Sequence, residues 1–131
     1  MGSVAQDRST VLPRLPSSAR HARHLLLLAL TDAGQDGAAH AGIAELLVSE
    51  LATNAIHYGG GEDFRLDVRV DGAELRVAVH DHNPALPQPR HSAPVEEGGR
   101  GMQLVEALAS DWGTEAQDDG KAVWFALRIG G

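Results

Sequence analysis

The chain has 131 residues, of which 43% are hydrophobic and 22% are charged, the balance of one globular domain with a real core. The formal net charge is -7 and the basic residues are scattered, so the chain lacks the basic footprint of a nucleic-acid binder and direct DNA or RNA binding is excluded. It contains no cysteine, which excludes disulfides and thiolate metal sites and fits a reducing compartment.

The strongest apolar run, residues 25–30, is far shorter than a membrane span. It also starts late for a signal peptide, and Asp32 interrupts it. The sequence therefore predicts a cytoplasmic domain that has no membrane partner.

Residues 1–10 are small and polar, which predicts a flexible tail before a single domain over residues 11–131. Period-two and helical spacing of apolar residues, with glycine and proline at the breaks, predicts the secondary structure. The predicted elements are, in chain order, an edge strand 11–16, a helix capped by Ser17 or Ser18 and ending near Thr31, a central helix 38–58 closed by glycines 59–61, strands 64–70 and 75–80 around Asp71-Gly72, a loop 81–94, a helix 102–110 opened by residues 98–101, and strands 111–116 and 122–129.

This order of strand, two helices, hairpin, loop, helix and hairpin predicts an α+β two-layer sandwich. A mixed, mainly antiparallel sheet would carry the helices on one face.

The central helix has polar residues where a purely structural helix would be apolar. Glu50 and Asn54 are one turn apart and fall between Leu46 and Leu47 in helical projection. One interpretation is a pair of buried polar groups satisfied by a neighbouring strand or by water. The other is a ligand site, in which Asn54 supplies an oxygen ligand for magnesium and Glu50 positions or deprotonates a nucleophile.

Two further stretches are candidates for the same site. The glycines of residues 98–101 precede a helix start that can bind phosphate, with Arg100 as an added donor, although a flexible loop fits equally well. Asp81 ends a strand and can accept a hydrogen bond from an exocyclic amine such as that of adenine, or simply start a turn. His80 and His82 lack a third ligand in register and do not predict a metal site.

Together these stretches resemble a known family. Residues 49–55, Ser-Glu-Leu-Ala-Thr-Asn-Ala, are similar to the N box of the GHKL ATPases, which have the Bergerat fold. The sequences Gly98-Gly99-Arg100-Gly101-Met102, Trp112-Gly113 and Gly120-Lys121 extend the likeness to the small anti-sigma-factor serine kinases of actinomycete type, in the right order over residues 12–129.

The resemblance implies a site for ATP and Mg²⁺. Glu50 would be the general base or water-positioning residue, and Asn54 the magnesium ligand. Asp81 would hold the adenine amine with Asn83 beside it. The phosphates would meet the helix start at Gly99, Arg100, Gly101 and Met102.

The chain departs from the family pattern at two places. The family's Asp-x-Gly is here Asp81-His82-Asn83, and a threonine that often helps to bind adenine is replaced by Ala122. Both departures are expected to weaken nucleotide binding, and neither touches Glu50 or Asn54.

Two functional hypotheses follow from the resemblance. In the first, the protein is a protein-serine kinase that phosphorylates an antagonist protein and otherwise sequesters a partner, which would be a sigma factor or an anti-anti-sigma protein of the STAS type. In the second, it is a catalytically weak binding module that regulates such a partner by association alone. A detached histidine-kinase domain is a third, less favoured interpretation. The family also implies a homodimer.

Overall fold

In the computed structural model, which describes residues 6–85 and 97–130 but not the side chains of 97–102, three helices lie on a five-stranded sheet. The elements are β1 Gln6–Pro13, α1 Ser18–Asp32, α2 Ala41–Tyr58, β2 Asp63–Asp71, β3 Glu74–Asp81, α3 Glu97–Leu108, β4 Asp111–Gln117 and β5 Gly120–Arg128. This is the predicted order, and the predicted α+β class is confirmed.

The strands lie in the order β1-β2-β3-β5-β4, and every neighbouring pair is antiparallel. The sheet is therefore antiparallel among the described strands, where the sequence predicted a mainly antiparallel one. β1 is an edge strand, as its prolines required. β3 and β5 are central neighbours although α3 and β4 separate them in the chain.

The core lies between one face of this sheet and the helices, because period-two alternation directs every second side chain toward the helices. Phe64 and Leu66 of β2, Val77 of β3 and Phe125 of β5 are buried on that face. The opposing helices contribute buried residues that recur at three- and four-residue steps, among them Leu26, Ala29 and Leu30 of α1 and Leu47, Val48 and Leu51 of α2.

Several predicted boundaries and one predicted helix cap need correction. β1 begins at Gln6 and pairs with β2 along its whole length, so residues 6–10 are strand where a loose tail was predicted. The pattern is hard to recognise because an edge strand tolerates polar side chains on its exposed face.

Neither serine caps α1 through its side chain. Ser17 is the cap residue but makes no such bond, and the Ser18 hydroxyl donates to the Pro13 carbonyl at 2.7 Å.

α3 begins at Glu97, five residues before the predicted start, and ends at Leu108 instead of residue 110. The glycines of residues 98–101 therefore belong to the first turns of the helix instead of preceding it. Most of the loop predicted over residues 81–94 lies outside the described residues. None of the helices in the described ranges has both the length and the apolarity that crossing a membrane requires.

Arg14 ties the loop after β1 to the end of α2. Its guanidinium donates to the carbonyls of Ala55 at 3.0 Å, Ile56 at 2.8 Å and Gly61 at 2.8 Å. The last carbonyls of a helix have no partner within the helix, so a cation with several donors stabilises this end. The contact fixes where α2 stops and where the glycine turn leading to β2 begins.

Replacing Arg14 with methionine should lower the free energy of unfolding by roughly 2 kcal/mol, because charged hydrogen bonds to three backbone oxygens are lost. Urea denaturation followed by circular dichroism measures the loss. Arg20→Met, which removes an exposed arginine from α1, is the matched control and should change stability little. Equal stability of the two variants would contradict the role assigned to Arg14.

Candidate functional site

Glu50 and Asn54 lie along one flank of α2. Both are half-buried, whereas Leu46, one turn before Glu50, is 41% exposed and Leu47 is completely buried. The sequence placed the two polar residues in the middle of the apolar stripe. The structure instead places them at its border, so they can reach a ligand without being sealed in the core.

Asn54 is open to a ligand in its immediate surroundings. Within the described part of the chain, its side-chain amide makes no hydrogen bond. α2 packs against α3 and ends at Tyr58, where Gly59 continues the chain. Asn54 therefore lies about 7 Å along the helix axis from Gly59.

Asp81 lies at this same end of α2. A Cβ added at Gly59 would be only 3.1 Å from the Cβ of Asp81. The Gly59 carbonyl also accepts a hydrogen bond from the amide of His82 at 2.8 Å. The fold thus brings the end of β3 to the end of the helix that carries Glu50 and Asn54, as a common site requires.

The Asp81 carboxylate is buried against a lysine that the sequence analysis did not assign to the site. Asp81 and Lys121 have side chains 4% and 3% exposed, and Lys121 Nζ lies 2.8 Å from Oδ2 and 3.1 Å from Oδ1. The backbone amide of Asn83 also donates to Oδ1, at 2.9 Å. Lys121 Nζ makes a further hydrogen bond to the Asn83 carbonyl at 3.1 Å.

The strand register explains why Lys121 occupies this position. Asp81 is the cross-strand partner of Lys121, and His80 is the partner of Ala122. Alternation then places Lys121 on the helix-covered face with Val123 and directs Ala122 to the other face. Ala122 replaces the threonine that the family pattern places near the base, but the residue of β5 that contacts Asp81 is Lys121. The alternation of β5 was the signal that could have found it.

Gly120 is required for this arrangement. A Cβ at Gly120 would overlap the Asp81 carbonyl oxygen and also lie 2.9 Å from the Cα of His82. Any larger residue would push the first residues of β5 away from β3. The close approach of the two strands is what holds the Lys121 ammonium on the carboxylate.

Asn83 is held by the protein on several sides. Its side-chain amide donates to the Tyr58 carbonyl at 2.6 Å, and its side-chain oxygen accepts from the Ala85 amide at 3.0 Å. The predicted role of Asn83 in binding a nucleotide stays a prediction. In the structure it fastens the segment after β3 to the end of α2.

The glycine-rich candidate is located by its backbone. Gly99, Arg100 and Gly101 lie in the first turns of α3, which packs on α2, and Met102 follows them. The first amides of a helix have no acceptor within the helix and carry partial positive charge, the property that suits them to phosphates. Their predicted side-chain roles lie outside the described residues.

The two histidines near the site bind different partners. His80 contacts Asp67 at 2.9 Å and Gln117 at 3.2 Å, and His82 contacts Asp63 at 2.9 Å. Among the described residues, no group of three histidine, aspartate or glutamate side chains could hold a metal ion.

A groove of about 460 Å³ lies on the opposite face of the sheet, away from Asp81. Two ion pairs lie in it, Arg69 with Asp7 and Arg65 with Asp67, and Arg76 lies over the Trp124 ring. Burial opposes ionisation of Asp67, but the Ser9 hydroxyl and the charge of Arg65 outweigh it and lower the pKa of Asp67. This groove lacks the carboxylate and amide set found at α2, so the candidate site remains at the end of β3.

The donor set suits a magnesium nucleotide. An amide oxygen is an acceptable magnesium ligand, a nearby carboxylate can position a nucleophile, and a helix start can meet phosphates. Asp81 retains Oδ2 as the oxygen not hydrogen-bonded by the Asn83 amide. The residues present therefore fit ATP with Mg²⁺, and Lys121 is an additional cation at Asp81.

Lys121→Met should destabilise the domain by about 3–5 kcal/mol, because it leaves the Asp81 carboxylate buried without its counter-charge. The double variant Asp81→Asn/Lys121→Met should recover most of that loss. Urea denaturation of the wild type, both single variants and the double variant measures the coupling between the two side chains. Additive losses would show that the pair does not act as a unit.

Comparison with known proteins agrees with this geometry. Residues 12–127 match the family model described as the histidine kinase-like ATPase domain. The chain is 37% identical over 81 residues to an uncharacterised protein of Streptomyces coelicolor, SCO4941, a match that covers 58% of this chain and 76% of the relative.

Solved structures show the same fold. The RsbU and RsbW domains of Rv1364c from Mycobacterium tuberculosis superpose with a TM-score of 0.69 at 20% identity, covering 94% of this chain and 32% of that chain. The chain thus spans about a third of that protein. The blue-light activated histidine kinase of Erythrobacter litoralis gives a TM-score of 0.53 at 22% identity, covering 90% of this chain and 62% of that one. Histidine kinase AdeS of Acinetobacter baumannii gives a TM-score of 0.56 at 13% identity, covering 95% of this chain and 68% of that one.

The family model spans most of the chain, and the solved structures share its fold. Both findings agree with the motif on α2 and with the carboxylate at the end of β3. The chain belongs to the histidine kinase-like ATPase domain family and has the GHKL-type fold.

Proposed function

We propose that this domain is an ATP-dependent protein-serine kinase that transfers the γ-phosphate to a serine of an antagonist protein and switches a regulatory partner. The observation that carries the proposal is the half-buried row of Glu50 and Asn54 on the flank of α2, whose end lies against Asp81. A carboxylate and an amide oxygen on one flank of α2, with a second carboxylate beside the end of that helix, are the groups that this chemistry needs.

Each group has a distinct role in the proposal. The Asn54 amide oxygen holds Mg²⁺, and the bound ion neutralises charge on the phosphates. Glu50 orients the substrate serine and accepts its proton. Asp81 accepts a hydrogen bond from the adenine amine, and the amides at the start of α3 meet the phosphates. Catalysis then rests on positioning and charge neutralisation.

The proposed partners are a sigma factor and an anti-anti-sigma protein of the STAS type, and the proposed active form is a cytoplasmic homodimer. The likeness of the motifs to anti-sigma-factor kinases supports these partners, as does the shared fold with a chain described by its RsbU and RsbW domains. The net charge of -7 suits a basic protein surface as partner.

A second candidate is a regulator that acts by association alone. One observation favours it: Lys121 and the Asn83 amide already occupy much of the Asp81 carboxylate. If a nucleotide cannot compete for that carboxylate, the fold still presents its surfaces to a partner. Nucleotide binding separates the two candidates.

Titration calorimetry with magnesium-ATP should show binding to the wild type. Asn54→Ala should lose the dependence on magnesium, because it removes the amide oxygen assigned to the ion. Thr53→Ala, at a half-buried neighbour on α2, is the matched control and should bind normally. Absence of binding at millimolar ATP would favour the association-only regulator.

Glu50→Gln should keep ATP binding and reduce transfer by about 100-fold or more, since the amide cannot accept the serine proton. Transfer is measured with radiolabelled ATP and purified STAS-domain proteins of the source organism. Glu45→Gln, which changes another half-buried carboxylate of the same helix, should retain transfer. Equal transfer by both variants would remove Glu50 from the proposed chemistry.

A further inference from the structure

Lys121 changes what the base end of the site can accept. Its side chain is 3% exposed, and its ammonium contacts both oxygens of Asp81, at 2.8 and 3.1 Å. It also donates to the Asn83 carbonyl at 3.1 Å, so the side chain is fixed from two directions. Alternation along β5 and the absence of a side chain at Gly120 hold it there.

The hydrogen-bond capacity of Asp81 is unequally used. A carboxylate oxygen has two lone pairs, each able to accept one hydrogen bond. Oδ1 accepts from Lys121 Nζ and from the Asn83 amide, which fills both positions. Among the described residues only Nζ contacts Oδ2, which leaves this oxygen with capacity for a further donor.

We propose that Lys121 is a specificity residue of the nucleotide site: by filling Oδ1 it leaves Asp81 a single acceptor, which selects adenine over guanine. This inference rests on the proposed ATP binding and adds a role for a residue of this chain. Lys121 acts through Asp81, so it is a positioning residue for the base-binding carboxylate.

The two purines differ in what they require from this oxygen. Adenine offers one exocyclic amine at position 6, which a single acceptor satisfies. Guanine offers two adjacent donors, the ring N1–H and the exocyclic amine at position 2, which together need two acceptors. With Oδ1 filled, one guanine donor would be buried without a partner, at the cost of a lost hydrogen bond.

Competition between nucleotides on the wild-type protein tests, without any substitution, whether Asp81 offers the base a single acceptor. A ribose-labelled fluorescent ATP is displaced with ATP, GTP and ITP, the last of which lacks only the 2-amino group of GTP. ATP should compete better than GTP by roughly tenfold, and ITP should also compete better than GTP, because ITP has a single donor at this edge whereas the 2-amino group of GTP is buried without an acceptor. Competition by GTP equal to or stronger than that by ITP would overturn the inference while leaving ATP binding intact.

Lys121→Met should reduce the preference for ATP over GTP by roughly tenfold, because Oδ1 regains an acceptor position. Arg76→Met is the matched control: it removes a cation that lies 4.2 Å from the Trp124 ring on the other face of the sheet, and the preference should not change. Circular dichroism establishes that both variants are folded.

The outcomes separate the two proposals. An unchanged preference in folded Lys121→Met overturns the role of Lys121 alone. Failure of the labelled ATP to bind the wild type overturns the proposed nucleotide site, and this inference with it. If Lys121→Met does not fold, the comparison of GTP with ITP on the wild type decides.

Discussion

The buried contact between Lys121 and Asp81 is the constraint on which the part of the candidate site between β3 and β5 depends. Two charges withdrawn from water are stable only when they meet each other and further hydrogen-bond partners, and here the Asn83 amide and carbonyl supply those partners. The contact requires β3 and β5 to approach closely, which Gly120 permits. Through Asn83 and its bond to the Tyr58 carbonyl, the same network reaches the end of α2. One ion pair thus fixes the relation between the sheet and the helix of Glu50 and Asn54.

The sequence predicted the order of elements and the α+β class because apolar periodicity is strong in the central strands and helices. It also singled out Glu50 and Asn54, which lie on one flank of α2, and Asp81, which lies beside the end of that helix. It could not place Glu50 and Asn54 relative to the buried face, since helical projection does not show which of Leu46 and Leu47 faces the sheet. Leu46 is exposed because α2 turns the side of Leu47, Val48 and Leu51 toward the core.

The remaining differences have related causes. Residues 6–10 form a strand through backbone pairing with β2 and not through burial of their side chains. Their sequence therefore carries no apolar pattern from which the strand could be predicted. The glycines before Met102 indicated a loop because glycine disfavours helix, yet they lie at the start of α3, where that cost is partly avoided. Lys121 was missed because a lysine at a strand end is ordinarily exposed. Only the register with Asp81 shows that its ammonium is buried, and register between strands so distant in the chain cannot be obtained from local pattern.

The relative sizes of the proposed interactions decide how strongly Asp81 and Lys121 can influence nucleotide binding. A single hydrogen bond between a nucleobase and Asp81 contributes only about 0.5–1.5 kcal/mol net. In the proposed site, phosphates at the start of α3 and a magnesium ion at Asn54 would involve larger charges, so most of the affinity for ATP would come from α2 and α3. In this proposal Lys121 alters which base is preferred without abolishing nucleotide binding. The kinase and the association-only regulator therefore differ in whether the domain binds a nucleotide and transfers its phosphate, and in the proposed site the carboxylate of Asp81 governs selectivity between nucleotides.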